Sequence, residues 1–82
     1  NPVRTTTTIE YQLAEPGPAT IEVYNVLGQR VRRLVDREHT AGSHTVQWDG
    51  HNDAGQPVAS GPYFYRLQTE SGTTSRQMTV IR

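Results

Sequence analysis

The chain has 82 residues, eight arginines against eight acidic residues and no lysine, so it carries no net charge and no overall field that would draw it to nucleic acid or anionic lipid. It has no cysteine, which excludes a disulfide framework and thiolate metal sites. At this length the chain makes one domain, residues 1–82, whose core needs every large apolar side chain and leaves little to line a substrate pocket. No apolar run is long enough to span a bilayer, and residues 1–10 have neither the basic nor the apolar region of a signal peptide. An exported parent protein is therefore expected to carry its signal upstream.

In chain order the pattern is one of strands and turns with no helical period. From Thr6 to Leu13, Ile9, Tyr11 and Leu13 alternate with Thr8, Glu10 and Gln12, the period of a strand with one wet face. Glu15-Pro16-Gly17-Pro18 reads as a tight reversal, and the next strand, Ala19 to Asn25, buries Ile21 and Val23 and leaves Thr20 and Glu22 to solvent. These two strands are expected to pair antiparallel. Asn25-Val26-Leu27-Gly28 is a turn in which Gly28 takes a positive φ. A third strand, Gln29 to Val35, loses its alternation at Arg32-Arg33-Leu34. Val31 and Leu34 cannot share a face of a regular strand, which implies a bulge or an early end.

After a polar connection around Glu38 to Gly42, His44, Val46 and Trp48 fall on one side of a fourth strand, with Trp48, the single tryptophan, as the core anchor. Asp49 to Gly61 (DGHNDAGQPVASG) is too rich in turn formers for regular structure and reads as an ordered loop pinned by Val58. A fifth strand, Pro62 to Gln68, has Tyr63, Tyr65 and Leu67 on one face and Phe64 and Arg66 on the other. After the turn at Glu70-Ser71-Gly72, a last strand runs from Thr73 to Ile81 with Met78 and Val80 facing inward. The expected core is thus Ile9, Tyr11, Leu13, Ile21, Val23, Val31, Val46, Trp48, Tyr63, Tyr65, Leu67, Met78 and Val80. Short strands with close turn signals indicate an all-β antiparallel sandwich of about six to seven strands.

Candidate chemistry is sparse. His39, His44 and His51 lack metal-ligand spacing, and His44, on the core face, reads as a hydrogen-bonded structural histidine. Asp49, Asn52 and Asp53 before Gly55 faintly resemble a calcium loop, but the alternating acidic ligands and the distal bidentate Glu are missing, so side-chain capping of a Gly-rich loop is the simpler reading. Neither the serines nor the pairs Asp36/Glu38 and Asp49/Asp53 have the surroundings that hydrolysis needs. Arg30, Arg32, Arg33 and Arg37 form a local basic stripe, diluted by Asp36 and Glu38 and suited to a charged sheet edge. No metal, no cofactor and no catalytic residue is expected.

Three stretches, taken together, resemble known families. The opening NPVRTTTTIEYQLAEPGPATIEVYNVLGQRVRRLV is similar to the start of type IX secretion C-terminal sorting domains, with Asn-Pro before the first strand and a Tyr-Asn-x-x-Gly-Gln turn after the second. WDGHNDAGQPVASGPYFYRL resembles the Ig-like domain of the flagellar hook-capping protein, and SRQMTVIR resembles the closing strand of the sorting domains. In that strand Gln77 stands where a basic residue is usual, and Arg76 lies one position further back.

The resemblance implies an immunoglobulin-like fold in which Gly28, Trp48, Asp49, Gly50, Gly55, Gly61 and Tyr63 are structural, while Arg76, Met78, Thr79, Val80, Ile81 and Arg82 carry sorting and partner binding. It implies a non-enzymatic domain that follows another domain of the same polypeptide, has a secretion translocon or sortase-like proteins as partners, and reaches the exterior or surface of a Gram-negative cell through the periplasm. The alternative function is a structural or adhesive Ig-like module of an extracellular enzyme. A sorting domain must end its polypeptide and a spacer need not, so Arg82 as the last residue favours the first.

Overall fold

The computed structural model describes residues 6–81; Asn1-Pro2 and Arg82 of the sequence motifs lie outside them. Six strands follow one another: β1 (Thr7–Leu13), β2 (Gly17–Tyr24), β3 (Arg30–His39), β4 (Gly42–Trp48), β5 (Gly61–Thr69) and β6 (Gly72–Val80). They form two antiparallel sheets, one of four strands in the order β3-β2-β5-β6 and one of two, β1-β4. The all-β sandwich expected from the period-two pattern is the fold observed.

The expected pairing of the first two strands is overturned. β1 pairs with β4, from Thr7 opposite Trp48 to Leu13 opposite Gly42, and β2 lies between β3 and β5. Glu15-Pro16 is therefore no hairpin but a passage from one sheet to the other. β2 starts earlier than expected, at Gly17, with Pro18 opposite Glu38; as the second strand residue next to an incoming loop, this proline sits where strands tolerate one. Ile9, Tyr11 and Leu13 consequently face Ala19, Ile21 and Val35 across the sandwich in one buried cluster.

The irregularity in the third strand is a bulge, and it occurs twice. Ile21 pairs with Val35 and Glu22 with Arg33, so Leu34 is passed over; Val23 pairs with Arg32 and Tyr24 with Arg30, so Val31 is passed over. Each extra residue shifts the side-chain period by one, which lets Val31, Leu34 and Val35 all pack inward despite their spacing. The strand does not end at Val35 but continues to His39, taking in Glu38 and His39 of the expected polar connection.

Val23, Trp48, Tyr63 and Val80 form a second buried cluster, and Leu34, Tyr65 and Met78 touch both clusters. Trp48 meets Tyr63 edge to face, with centroids 5.5 Å apart, and its indole N–H donates to the His51 carbonyl at 2.9 Å, so the one polar atom of the largest core side chain is satisfied. Five of the expected core residues, Val31, Val46, Tyr65, Leu67 and Met78, are only half-buried, because two strands lie over four. Ala19 and Val35, absent from the expected core, are buried.

Replacing Trp48 with alanine removes the side chain that joins β4 to β2, β5 and β6. It should cost roughly 3 to 5 kcal/mol, of the order of the whole stability of so small a domain. A chemical denaturation midpoint for Trp48→Ala equal to the parent's would refute this packing.

Candidate functional site

The residues assigned to sorting lie on β6 and just after it. Along the strand, Val80 is buried and Met78 half-buried, whereas Arg76, Thr79 and Ile81 are exposed. Met78 sits opposite Tyr63 and Arg76 opposite Tyr65. Among the described residues β6 is one margin of the four-stranded sheet and pairs with β5 alone.

The other margin, β3, is covered over Val31 to Arg33. The loop after Trp48 returns against it: the Asp53 amide donates to the Val31 carbonyl at 2.9 Å, Asp53 Oδ1 accepts the Arg33 amide at 3.0 Å, and Arg32 Nη1 donates to the carbonyls of His51 and Asn52. Inside the loop, Asn52 Oδ1 accepts the amides of Ala54 and Gln56 at 3.0 and 2.9 Å, and the Val58 amide closes on the Gly50 carbonyl. Asp49 Oδ1 accepts the His51 amide and lies 3.8 Å from Arg32. Burial pushes the Asp49 carboxyl up, but the His51 amide and the charges of His51 and Arg32 outweigh it, and the net shift is downward. Asp49 Oδ1, Asn52 Oδ1 and both Asp53 carboxylate oxygens are thus already taken by amides and guanidinium groups. Among the described residues no cluster of three or more His, Asp or Glu side chains could hold a metal.

This loop and the turn between β2 and β3 are built alike, a repetition visible in the sequence as Asn25-x-x-Gly28-Gln29 and Asn52-x-x-Gly55-Gln56 but not noticed there. In each, the Asn side-chain oxygen accepts two amides, two and four residues on, the Asn amide donates to the Gln carbonyl, and the Gly amide donates to the Asn carbonyl. Gly28 and Gly55 have φ of 80° and 83°, the left-handed region that side chains with a Cβ rarely enter.

The arrangement that sequence reasoning missed is on the outer face of the four-stranded sheet. Glu22, expected in solvent, is buried in the centre of it. Tyr24 Oη donates to its Oε1 at 2.6 Å, Arg33 Nε and Arg30 Nη1 donate to its Oε2 at 3.0 and 3.3 Å, and Arg66 Nη2 stands 3.6 Å from Oε1. The Tyr24 hydrogen bond and the two arginines hold the Glu22 carboxyl below its ordinary value of 4.5 against the effect of burial. The same hydrogen bond, with burial, raises the Tyr24 phenol. Only the strand order brings Arg30 and Arg33 from one side and Arg66 from the other to this carboxylate, so the basic stripe gave no warning of it.

The histidines are structural. His39, beyond the expected end of its strand, is buried, with Nε2 2.7 Å from Tyr11 Oη and Nδ1 3.0 Å from the Arg37 carbonyl. His44 is half-buried and hydrogen-bonded to the Thr40 carbonyl at 2.8 Å. Of the carboxylates considered for hydrolysis, Asp36 is tied to Arg33 and Asp53 to Arg30.

With this geometry in view, the comparison with known families is decisive for class: the FlgD Ig-like domain matches residues 3–73. The chain belongs to the FlgD Ig-like domain family. Of the two resemblances read from the sequence, the match falls on the flagellar one. FlgD from P. aeruginosa has the same fold, with a TM-score of 0.73 and 24% identity over 92% of this chain and 59% of that one. A segment of PorZ, described as an essential bacterial surface component of the type-IX secretion system of Porphyromonas gingivalis, is similar at a TM-score of 0.56 and 18% identity, covering 78% of this chain and 8% of that one. That likeness is one of fold and does not make the chain a sorting domain. The chain therefore spans less than two thirds of either structure. No curated protein sequence matches it. The FlgD Ig-like domain is of a structural, non-catalytic type, and no helix among the described residues is long and apolar enough to cross a membrane.

Two outcomes test this account of the FlgD Ig-like domain. Asn52→Ala removes two side-chain hydrogen bonds and should cost about 1 to 2 kcal/mol, while calcium or a chelator leaves the melting temperature of the parent unchanged; a rise of several degrees with calcium would make Asp49 and Asp53 ligands. Because the folded Glu22 pKa lies below the unfolded one, its stabilisation is complete above the unfolded value of about 4.5 and is lost as pH falls through the folded value. Glu22→Gln should cost about 1 to 3 kcal/mol at neutral pH, discounted for half-exposed arginines. The difference from the parent should shrink in a pH series from 6 down to about 3; a difference that stays constant refutes the linkage.

Proposed function

We propose that the chain is a non-catalytic docking domain of a larger exported protein, and that it directs that protein along the type IX route to the exterior or surface of a Gram-negative cell. The observation that carries the docking role is the inequality of the two sheet margins. β3 is engaged over Val31 to Arg33 by the Asp49–Gly61 loop, whereas among the described residues β6 pairs with β5 alone. A strand margin offers backbone donors and acceptors that a partner can extend by β-augmentation, with alternate side chains supplying selectivity.

On β6 the division of labour is clear. Val80 and Met78 fasten the strand to the core, and Arg76 and Thr79 on the strand, with Ile81 after it, are exposed. The type IX assignment itself rests on the likeness of Met78-Thr79-Val80-Ile81-Arg82 to the closing strand of sorting domains, and a secretion translocon or a sortase-like protein is the partner it requires. A second reading, a spacer or adhesive module holding a neighbouring domain of the same polypeptide, is favoured by the family match over residues 3–73.

Fusing residues 1–82 to an inert periplasmic reporter in a bacterium with a working type IX system separates the two. The sorting reading expects the reporter outside the outer membrane, and expects it trapped in the periplasm when Gln77 and Thr79, both exposed, are replaced by glutamate. Removal of Thr79 to Arg82 should trap it too, but that deletion takes Val80 from the core, so only the point variants with a parent-like melt are decisive. A folded parent fusion that stays periplasmic establishes the spacer reading instead, and export indifferent to the glutamates removes β6 as the contact.

A further inference from the structure

The large sheet ends in two margins of opposite build. β3 shifts register twice against β2, carries Arg30, Arg32, Arg33 and Arg37 with Asp36 and Glu38, and is engaged over Val31 to Arg33 by the loop after Trp48. Bulges, charges and a covering loop are the means by which sheet margins are kept from pairing with other chains. β6 is plain by comparison. Its nine residues run opposite β5, from Gly72 opposite Thr69 to Val80 opposite Gly61, without a register shift, and they include no proline and one charge, Arg76. Thr73, Thr74, Thr79 and Val80 are β-branched, which suits an extended chain.

The alternation of β6 decides which strand such a margin can accept. Met78 and Val80 face the core, and Thr74 and Arg76 share their face, lining one hollow with Tyr65 and Leu67. Thr73, Ser75, Gln77 and Thr79 are exposed on the other face. Antiparallel pairing of β6 with β6 of a second copy, about a twofold axis, is sensitive to register. Centred on Arg76, it sets two guanidinium groups directly opposite each other, which is repulsive. Centred on Ser75, it sets Met78 against Gly72, which has no side chain to pack. Centred on Gln77, it places Arg76 opposite Met78, Thr74 opposite Val80 and Ser75 opposite Thr79. Each of these pairs is compatible: the Arg76 stem lies along Met78, two β-branched side chains meet, hydroxyl groups face one another, and the two Gln77 carboxamides can each donate and accept. The one charge on the strand therefore does not close the margin; it selects the register.

From this self-complementarity we infer that β6 is a surface for a second copy of the chain: two copies pair antiparallel along β6, in register about Gln77, and join their four-stranded sheets into one of eight strands. Two strands meeting edge to edge bury less than the roughly 1,200 Å² of a stable interface. The dimer is accordingly weak, with a Kd on the order of 0.1 to 1 mM, and forms where copies are concentrated or held side by side. The inference rests on the open margin that also carries the docking reading, but not on the type IX assignment, and a second copy and a partner strand compete for the same backbone groups.

The test combines crosslinking with dilution of the purified 82-residue chain. Because the chain has no cysteine, Gln77→Cys introduces its single thiol, and at millimolar concentration under mild oxidation this variant should form a disulfide dimer about tenfold faster than Gln47→Cys, exposed on β4. Ser75→Cys and Thr79→Cys should crosslink about tenfold faster when mixed than either does alone. In amide spectra of the 15N-labelled parent, Thr73 to Thr79 should shift between about 0.05 and 1 mM. Gln77→Arg, which sets like charges opposite each other, should hold those shifts at their dilute values while the spectrum stays dispersed. A parent that is monomeric at millimolar concentration, concentration-dependent shifts on β1 or β4 instead of β6, or crosslinking through Gln77→Cys no faster than through Gln47→Cys would overturn the proposal. Ser75→Cys crosslinking alone as fast as in the mixture would refute the register. The reporter assay reads capture of β6 by a secretion partner in cells, so a chain that is monomeric yet exported refutes self-association and leaves the sorting reading standing.

Discussion

Neighbouring strands lie about 4.8 Å apart, so β1 and β4 can roof only about half the width of the sheet β3-β2-β5-β6. That mismatch organises the rest of the molecule. Beneath the roof, Ile9, Ile21, Val23, Trp48 and Val80 are fully buried; around it, Val46, Tyr65, Leu67 and Met78 are half-buried. With so small a dry core, side chains that bridge layers matter more than usual, and Trp48 does so twice, through its ring against Tyr63 and its indole N–H to His51. The loop that receives this hydrogen bond is the one that covers β3, so the core anchor and the protection of one sheet margin are mechanically joined.

Among the described residues nothing roofs the outer face of the large sheet, and its centre is held by charge. β2, with a neighbour on either side, places Glu22 where arginines from β3 and β5 converge. A single carboxylate accepting from Tyr24, Arg30 and Arg33, with Arg66 close by, ties three adjacent strands together. A lone buried carboxylate would be costly, and here its partners cover it. The arginines keep their methylene stems over the sheet and their charged ends at solvent, so they also act as the apolar cover that a roof would otherwise provide.

How much of this could be read from residues alone depends on the range of the interaction. Strand identity is local: alternation at Ile9, Tyr11, Leu13 and at Tyr63, Tyr65, Leu67 marks strands with one dry face, and each of the six expected strands is present, although β2 begins earlier, at Gly17, and β3 runs on to His39. The Val31/Leu34 conflict is local as well, and it resolves as two bulges. Pairing is not local. An alternating strand shows the same dry face whether it lies beside its partner or across the sandwich from it, so β1 and β2 could not be told from hairpin neighbours, and Pro16 and Pro18 made the passage between sheets look like a turn. Glu22 was misplaced for the same reason, because its burial arises from residues 8, 11 and 44 positions away that only the strand order assembles. The candidate site was legible as a set of strand positions on β6, but whether that strand was central or marginal was not.

Neutrality of the whole chain says little about its surface. Eight positive and eight negative side chains cancel in sum, yet on the outer face of the large sheet they are arranged in depth and in pairs, with Glu22 beneath Arg30, Arg33 and Arg66 and the exposed Asp53 and Asp36 beside Arg30 and Arg33. At separations within a Debye length of about 8 to 10 Å such layering is felt by a partner before the cancelling charges elsewhere are. Lack of net charge argues against long-range attraction to polyanions, and that argument holds. It does not extend to short-range selection, which depends on the sign of the groups nearest solvent. The Asn-x-x-Gly-Gln turn then matters for a geometric reason: used once to bring Asp53 against the start of β3, the same backbone is used again to join β2 to β3, so one local device of five residues fixes both connections beside the bulged strand.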